Sequence, residues 1–320
     1  MRISLITPAG ARTRTGNRNT ATRWAGFLRA MGHRVTVAQH WNGAASDVMI
    51  ALHARRSFDS IESYARTHPE RPLVVALTGT DLYRDIHTDQ NAQRSLTLAT
   101  RLIVLQDRAP LSLPAEYQAK TRVVYQSARS VAPVPALKSC FEVVVSGHLR
   151  EEKDPFRAAL ALALLPQTSR VRVTHIGGAM TPETQAQAET LARNERRYRW
   201  LGELAHWRAL RMLARSRLMV ISSLMEGGAN VVSEALAVKV PVIASRIDGN
   251  IGMLGADYPG YYTVKDERML ADGLNRAETD PAWYADLREA CAARAHLVSA
   301  EREHASLEAL LEELGACYGL

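Results

Sequence analysis

The sequence predicts an α/β protein of two doubly wound, parallel-sheet domains of Rossmann type facing each other across a cleft. Short apolar runs alternate with amphipathic stretches along most of the 320 residues, the pattern of strands covered by helices on both faces. Ala132-Pro133-Val134-Pro135-Ala136 breaks the pattern, because two prolines so close together favour extended backbone. The alternation then restarts. The division expected is 1–132 as a first domain, 133–139 as a linker, 140–300 as a second domain and 301–320 as a closing C-terminal helix.

In the first domain, Ile3–Thr7 and Val35–Ala38 have the composition of buried strands, with an amphipathic helix between them over Thr20–Met31. Gly32 stops that helix and Arg34 opens the next strand. Val48–Leu52, Leu73–Leu77, Leu102–Leu105 and Val123–Tyr125 continue the strands, with helical segments near Ser57–Thr67 and Asp89–Ala99. In the second domain, strands are expected at Phe141–Ser146, Val171–Ile176, Leu218–Ser222, Val240–Ala244 and Tyr261–Val264. Helices are expected at Pro155–Leu165, Pro182–Asn194, about Asn230–Val238, Pro281–Leu297 and Ala300–Leu314.

Composition narrows the function classes. With 47% apolar and 23% charged residues the chain has the balance of a globular protein. Its longest apolar run, Ala158–Leu165, is far shorter than the roughly 20 residues that span a bilayer. Pro8 and Gly10 end the first strand before a secretory apolar stretch could form, so a cytoplasmic location without integral membrane association is expected. Cys140, Cys291 and Cys317 are widely spaced and form no metal-binding pattern; no metal and no cofactor are expected. A net charge of +7 favours an anionic partner. Nucleic acid is not the partner expected, since aromatics are only 6% and no recognised nucleic-acid motif is present.

Ligands of doubly wound sheets bind beyond the carboxyl ends of the strands, so the strand-to-helix loops carry the chemistry. Ser222 through Ala237 is the sharpest of them. A buried strand ends at Ser222 and a helix starts soon after Gly227 and Gly228, which let a ligand approach the backbone. The free amides of a helix start suit a diphosphate. Glu226 before the helix and Glu234 in its first turns can reach one cleft, and carboxylates accept hydrogen bonds from sugar hydroxyls. Either glutamate alone could equally be an ordinary acidic residue near a helix start.

Pro8 through Thr20 joins the first strand to the first helix. It is neither a Walker loop nor a dinucleotide fingerprint, since no GK[ST] and no GxGxxG is present. It combines Arg12, Arg14 and Arg18 with Gly10, Gly16 and Asn17. Arginine forks bind oxyanions well, so an anionic acceptor or leaving group fits here; a solvated basic loop is the alternative.

Glu226 and Glu234 with seven residues between them, followed by Ala235-Leu236-Ala237, Val240 to Ser245 and Gly249, resemble the donor-site signature of the GT-B glycosyltransferases, in particular the retaining group known as family 4. Ser146 to Asp154, His175-Ile176-Gly177-Gly178 and Trp200-Leu201-Gly202 resemble that family's preceding stations. Gly16-Asn17 and Gly32-His33-Arg34-Val35 resemble its first loop and helix. The resemblance implies that Glu234 holds the nucleotide ribose and Glu226 the transferred sugar. It implies too that Gly227, Gly228, Ala229 and Asn230 face the diphosphate, with Gly147, His148 and Gly177 beside the donor and Lys153 and Arg150 neutralising it. His148 stands where the family usually has arginine, a stronger phosphate partner; it could also be a satisfied core histidine. Asp81 and His53 are implied as acceptor contacts, although Asp81 could as well cap a helix.

The stretches Thr7–Val35, Leu77–Ile86 and Ser146–Ala161 resemble, more narrowly, the selenosugar synthases of selenoneine biosynthesis. That likeness implies transfer of the sugar of a UDP-sugar, usually UDP-N-acetylglucosamine, to selenophosphate, forming a carbon–selenium bond and then a 1-selenosugar. An ordinary family 4 transferase with a small hydroxyl acceptor, and a non-enzymatic basic nucleic-acid-binding module, are the alternatives.

Overall fold

The computed structural model describes residues 1–10 and 16–319. The chain forms two compact units, residues 1–126 with 300–320, and residues 127–299. The sequence expectation is a first domain to 132, a linker over 133–139, a second domain to 300 and a closing helix; the contacts divide the chain after 126 and group the last helix with the first unit.

The first unit holds β1 (Arg2–Ile6), α1 (Gly16–Ala30), β2 (Arg34–Ala38), β3 (Val48–Leu52), α2 (Phe58–Thr67), β4 (Leu73–Ala76), α3 (Ile86–Thr88), α4 (Gln90–Leu98), β5 (Arg101–Val104), α5 (Ala115–Gln118) and β6 (Thr121–Val123). Its sheet is parallel throughout in the order β2-β1-β3-β4-β5-β6. Both faces are buried, and strand residues alternate between them. Ile50 and Leu52 pack with Trp24 and Leu28 of α1, whereas Met49 and Ala51 pack with Ile61 and Tyr64 of α2.

The second unit holds β7 (Phe141–Ser146), α6 (Arg157–Leu162), β8 (Val171–Ile176), α7 (Pro182–Asn194), β9 (Tyr198–Trp200), α8 (His206–Arg215), β10 (Leu218–Ile221), α9 (Asn230–Ala237), β11 (Val242–Ser245), α10 (Asp248–Leu254), β12 (Tyr261–Tyr262), α11 (Glu267–Thr279) and α12 (Pro281–Arg294). Its parallel sheet has the order β12-β11-β10-β7-β8-β9. Strand order reverses between β7 and β10, and in the first sheet between β1 and β3. Those two switch points are where loops diverge and leave a crevice.

β3, β7, β8 and α7 lie where the sequence placed them. α1 starts at Gly16, four residues ahead of expectation, so Gly16, Asn17 and Arg18 belong to a helical turn; Thr20 Oγ1 donates to the Gly16 carbonyl at 2.9 Å. β6 lies earlier than expected and β12 is shorter. α6 is shorter than Pro155–Leu165 because Asp154, in left-handed backbone at φ 43°, delays its start. Helices α8, α10 and α11 have no counterpart among the expected elements. Among the described residues, no helix is long and apolar enough to cross a membrane.

The final helix, α13 (Ala300–Tyr318), covers the α1 face of the first sheet with Leu307, Leu310, Leu311 and Leu314. Within it Glu303 is wholly buried, accepting from Trp24 Nε1 and Arg23 Nε at 2.7 Å each. Removing a buried carboxylate leaves both donors unsatisfied. Glu303→Ala is therefore expected to lower the unfolding free energy by about 2–4 kcal/mol, with Glu303→Gln losing less. Urea denaturation followed by tryptophan fluorescence measures it, and unchanged stability would show that the pair contributes nothing net.

Candidate active site

The switch point of the second sheet gathers most of the residues singled out in the sequence. Beyond β7 the backbone runs through Gly147, His148, Arg150 and Lys153; beyond β10 it runs through Ser223, Glu226, Gly227 and Gly228 into α9. The Leu224 amide donates to the Glu152 carbonyl at 2.9 Å, stitching the two loops together. Beside that stitch, Lys153 Nζ and Ser223 Oγ both donate to Oε1 of Glu226, at 2.5 Å each. Glu226 is buried, while a third of the Lys153 side chain stays exposed. Oε2 of Glu226 takes no side-chain or backbone donor among the described residues.

Two turns of chain later, Glu234 repeats the arrangement. His206 Nε2, at the start of α8, donates to Oε1 of Glu234 at 2.8 Å, and Oε2 has no partner among the described residues. That bond raises the His206 pKa above its ordinary value; partial burial and the nearby Arg129 charge oppose it. Each glutamate thus has one oxygen anchored by the protein and one open, which suits a ligand that brings hydroxyl donors. Between them lies the start of α9, whose N-cap is Ala229; no side chain caps its first turn, so Gly227, Gly228, Ala229 and Asn230 stand at an uncapped helix start.

The loop after β7 is braced from β8. His175 is buried, its Nδ1 within 2.9 Å of the Tyr198 hydroxyl and its Nε2 within 3.3 Å of the Gly147 carbonyl. Burial pushes its pKa down to about 4, so it is neutral at physiological pH. The Gly178 amide donates to His148 Nδ1 at 3.1 Å, so the half-buried His148 ring is held by the backbone of the β8 loop. Arg150, half-buried, pairs loosely with Glu152 at 3.8 Å.

Glycines set the spacing. A Cβ on Gly177 would lie 1.8 Å from the Gly147 carbonyl oxygen, and one on Gly249 would lie 2.0 Å from that of Glu226. Gly249, in the first turn of α10, is thus pressed against the backbone that carries the Glu226 carboxylate.

In the first unit, the described candidates gather near the β1/β3 switch point. His53 follows β3 with φ 73°, an unusual conformation for a non-glycine residue, and is buried. Its Nε2 lies 3.1 Å from Thr80 Oγ1, and burial lowers its pKa, against the pull of Asp81 and Asp85. Asp81 is fully buried, and both its oxygens are occupied by amides: Oδ1 accepts from Thr78 and Gly79 at 2.8 and 2.9 Å, Oδ2 from Ala54 at 3.0 Å. Its role is to tie the loop after β3 to the loop after β4. An acceptor contact by Asp81 would have to share a carboxylate that three amides already occupy. Gly10 ends the described part of the loop after β1, and Gly16, Asn17 and Arg18 lie at the start of α1. Arg12 and Arg14 lie outside the described residues.

Three contributors went unnoticed in the sequence: Ser223, His206 and Thr80. Ser223 lay inside the recognised motif but looks like any strand-end serine. His206 opens an amphipathic helix, and nothing in the linear order relates it to Glu234, 28 residues on.

The contact at Gly249 gives a direct test. Gly249→Ala forces a Cβ into the Glu226 backbone, and overpacking of this kind costs about 1–3 kcal/mol. Turnover is expected to fall at least tenfold while the unfolding transition shifts only modestly; wild-type turnover would show that the Glu226 main chain tolerates displacement.

Residues 133–297, just over half of the chain, match the family model of the group 1 glycosyl transferases. No curated protein matches the chain. Among solved structures, the Anabaena protein HepE in complex with UDP and glucose superposes with a TM-score of 0.76 at 18% identity, covering 98% of this chain and 100% of that one. Sucrose-phosphate synthase from Thermosynechococcus elongatus superposes with a TM-score of 0.78 at 16% identity, covering 99% of each. Both likenesses speak to the fold, which is GT-B, and the family match to the enzyme class: the chain belongs to the group 1 glycosyltransferases.

Proposed function

We propose that the protein transfers the sugar of a UDP-sugar, UDP-N-acetylglucosamine being the donor expected, to selenophosphate. The observation that carries the donor half is the pair of carboxylates, Glu226 and Glu234, each with one oxygen fixed and one open, on either side of the uncapped start of α9. Glu234 binds the ribose hydroxyls and Glu226 the hydroxyls of the transferred sugar. The diphosphate between them faces the α9 amides, with Lys153 and Arg150 supplying positive charge. HepE with bound UDP and glucose, a protein of the same fold, supports a uridine nucleotide as the donor.

During transfer the bond from the anomeric carbon to the diphosphate oxygen breaks and its electrons leave with UDP. Groups aimed at that oxygen before the reaction stabilise the charge as it forms. Selenium of selenophosphate donates the pair that forms the carbon–selenium bond. It is already an anionic, soft nucleophile, so no general base is required. Water then cleaves the phosphorus–selenium bond, releasing phosphate and leaving the 1-selenosugar.

The acceptor half is supported by the resemblance of Thr7–Val35, Leu77–Ile86 and Ser146–Ala161 to selenosugar synthases, and by the arginine-rich loop after β1. Arg12, Arg14 and Arg18 hold the selenophosphate oxygens, with Gly10, Gly16, Asn17 and His53 beside them. A cytoplasmic location accompanies this proposal. Incubating the protein with UDP-N-acetylglucosamine, with and without selenophosphate, and reading products by mass spectrometry tests it. UDP release dependent on selenophosphate, with a selenium-containing sugar, is expected; equal release with a simple hydroxyl acceptor would favour an ordinary family 4 transferase.

Two sets of variants divide the roles. Glu234→Ala is expected to weaken UDP binding roughly tenfold or more, whereas Glu226→Ala lowers turnover with UDP affinity nearly intact. Calorimetry with UDP decides, and equal losses in both would refute the division. Replacing Arg12 and Arg14 with glutamine is expected to raise the acceptor KM about ten- to a hundredfold with little change for the donor. Lysine at both positions rescues only partly, since the charge returns without the fork. Unchanged acceptor dependence would mean the loop is a solvated basic surface.

A further inference from the structure

α8 packs against α9, and its first residue, His206, donates to Oε1 of Glu234 at 2.8 Å. His206 also lines a cavity of about 500 Å³ with Arg129, Trp207 and Arg211, walled by Val131 and Leu210. The Glu234 side chain is largely enclosed at 16% exposure, whereas that of His206 is 59% exposed. Among the described residues Oε1 is met by the histidine alone, and Oε2 is the oxygen left for a ligand.

We propose that His206 is a positioning residue for nucleotide binding: it clamps Oε1 of Glu234 so that Oε2 is presented to the vicinal hydroxyls of the nucleotide sugar. The proposal rests on the reading of Glu234 as the ribose carboxylate.

A glutamate in a helix has several side-chain rotamers of similar energy, and only those that turn Oε2 toward a ligand bind it. A hydrogen bond from a neighbouring helix selects one of them in advance, so less conformational freedom is lost on binding. The clamp is charge-assisted when His206 is protonated. The groups facing it are Glu234 from α9, which favours the proton, Arg129 from the segment before the linker prolines, which disfavours it, and Arg211 one turn along α8. Arg215 at the far end of α8 is already held by Glu142 of β7 and does not compete.

The sign of the pH dependence follows. The folded pKa of His206 is raised by Glu234, so the charged clamp is present below its ordinary value near 6.5 and is lost as pH rises through the raised value. A bound UDP-sugar brings a diphosphate whose charge stays constant across neutral pH, and a nearby anion raises the pKa further. Donor binding thus takes up a proton and strengthens as pH falls.

Calorimetry of UDP-N-acetylglucosamine binding between about pH 6 and 8 tests the proposal on the full-length protein. Wild type is expected to bind more tightly at the acid end. His206→Ala is expected to bind roughly two- to fivefold more weakly, the range of a largely exposed charge-assisted contact. His206→Gln, whose amide still donates to Glu234, is expected to recover most of the affinity and to lose the pH slope. Unchanged affinity in His206→Ala, or a wild-type slope retained in His206→Gln, overturns the proposal. So does a wild-type slope of opposite sign, since binding would then displace the histidine from Glu234. Glu234→Ala separates the two ideas: if it weakens binding while His206→Ala leaves affinity unchanged, only the clamp fails. If Glu234→Ala itself binds normally, the ribose role fails first.

Discussion

The ion pair between Lys153 and Glu226 sets the geometry from which the rest of the donor site follows. It joins the loop after β7 to the loop after β10, the two loops that diverge at the switch point of the second sheet. A lysine and a glutamate drawn to 2.5 Å, with Ser223 on the same oxygen, fix the carboxylate in a single direction. Glu226 is buried, so its charge is tolerable only because two donors meet it. Removing either donor would leave a buried carboxylate short of partners at the point where two strands part.

Backbone crowding sustains that pair. Gly249 brings the first turn of α10 against the Glu226 main chain, and Gly177 brings the β8 loop against Gly147. Neither contact contributes a functional group. Both fix the height of a loop above the sheet, and with it the distance between groups that a donor must bridge. His175, neutral and buried below Gly147, braces the same loop from beneath. A close-packed floor converts small side-chain volumes into positions accurate enough for sugar recognition.

Much of the fold was legible because parallel strands buried on both faces leave short apolar runs between amphipathic helices. Phe141–Ser146 and Val171–Ile176 were read to the residue for that reason. α10 was not, since Gly249 and Gly252 lower its helix propensity and tertiary contacts override it. The donor motif was legible as an ordered set: Glu226, the glycines and Glu234 sit on consecutive elements, so linear spacing carries their proximity. The clamps on those carboxylates were not, because Lys153 is 73 residues from Glu226 and a lysine side chain does not announce its partner. Asp81 shows the opposite limit. Its place after a strand suggested a ligand contact or a helix cap, and nothing in the linear order showed that its carboxylate takes three backbone amides.

The return of α13 to the first unit has a consequence for biosynthesis. Residues 127–299 are contiguous, so the second unit has its whole sheet and all its covering helices as soon as that stretch has emerged from the ribosome. The first unit, although translated earlier, has the α1 face of its sheet only partly covered until Leu307, Leu310, Leu311 and Leu314 arrive. Trp24 and its partner Glu303 are separated by 279 residues. The core of the first unit is therefore incomplete until α13 has been made, after the whole of the second unit, and the order of completion runs opposite to the order of translation.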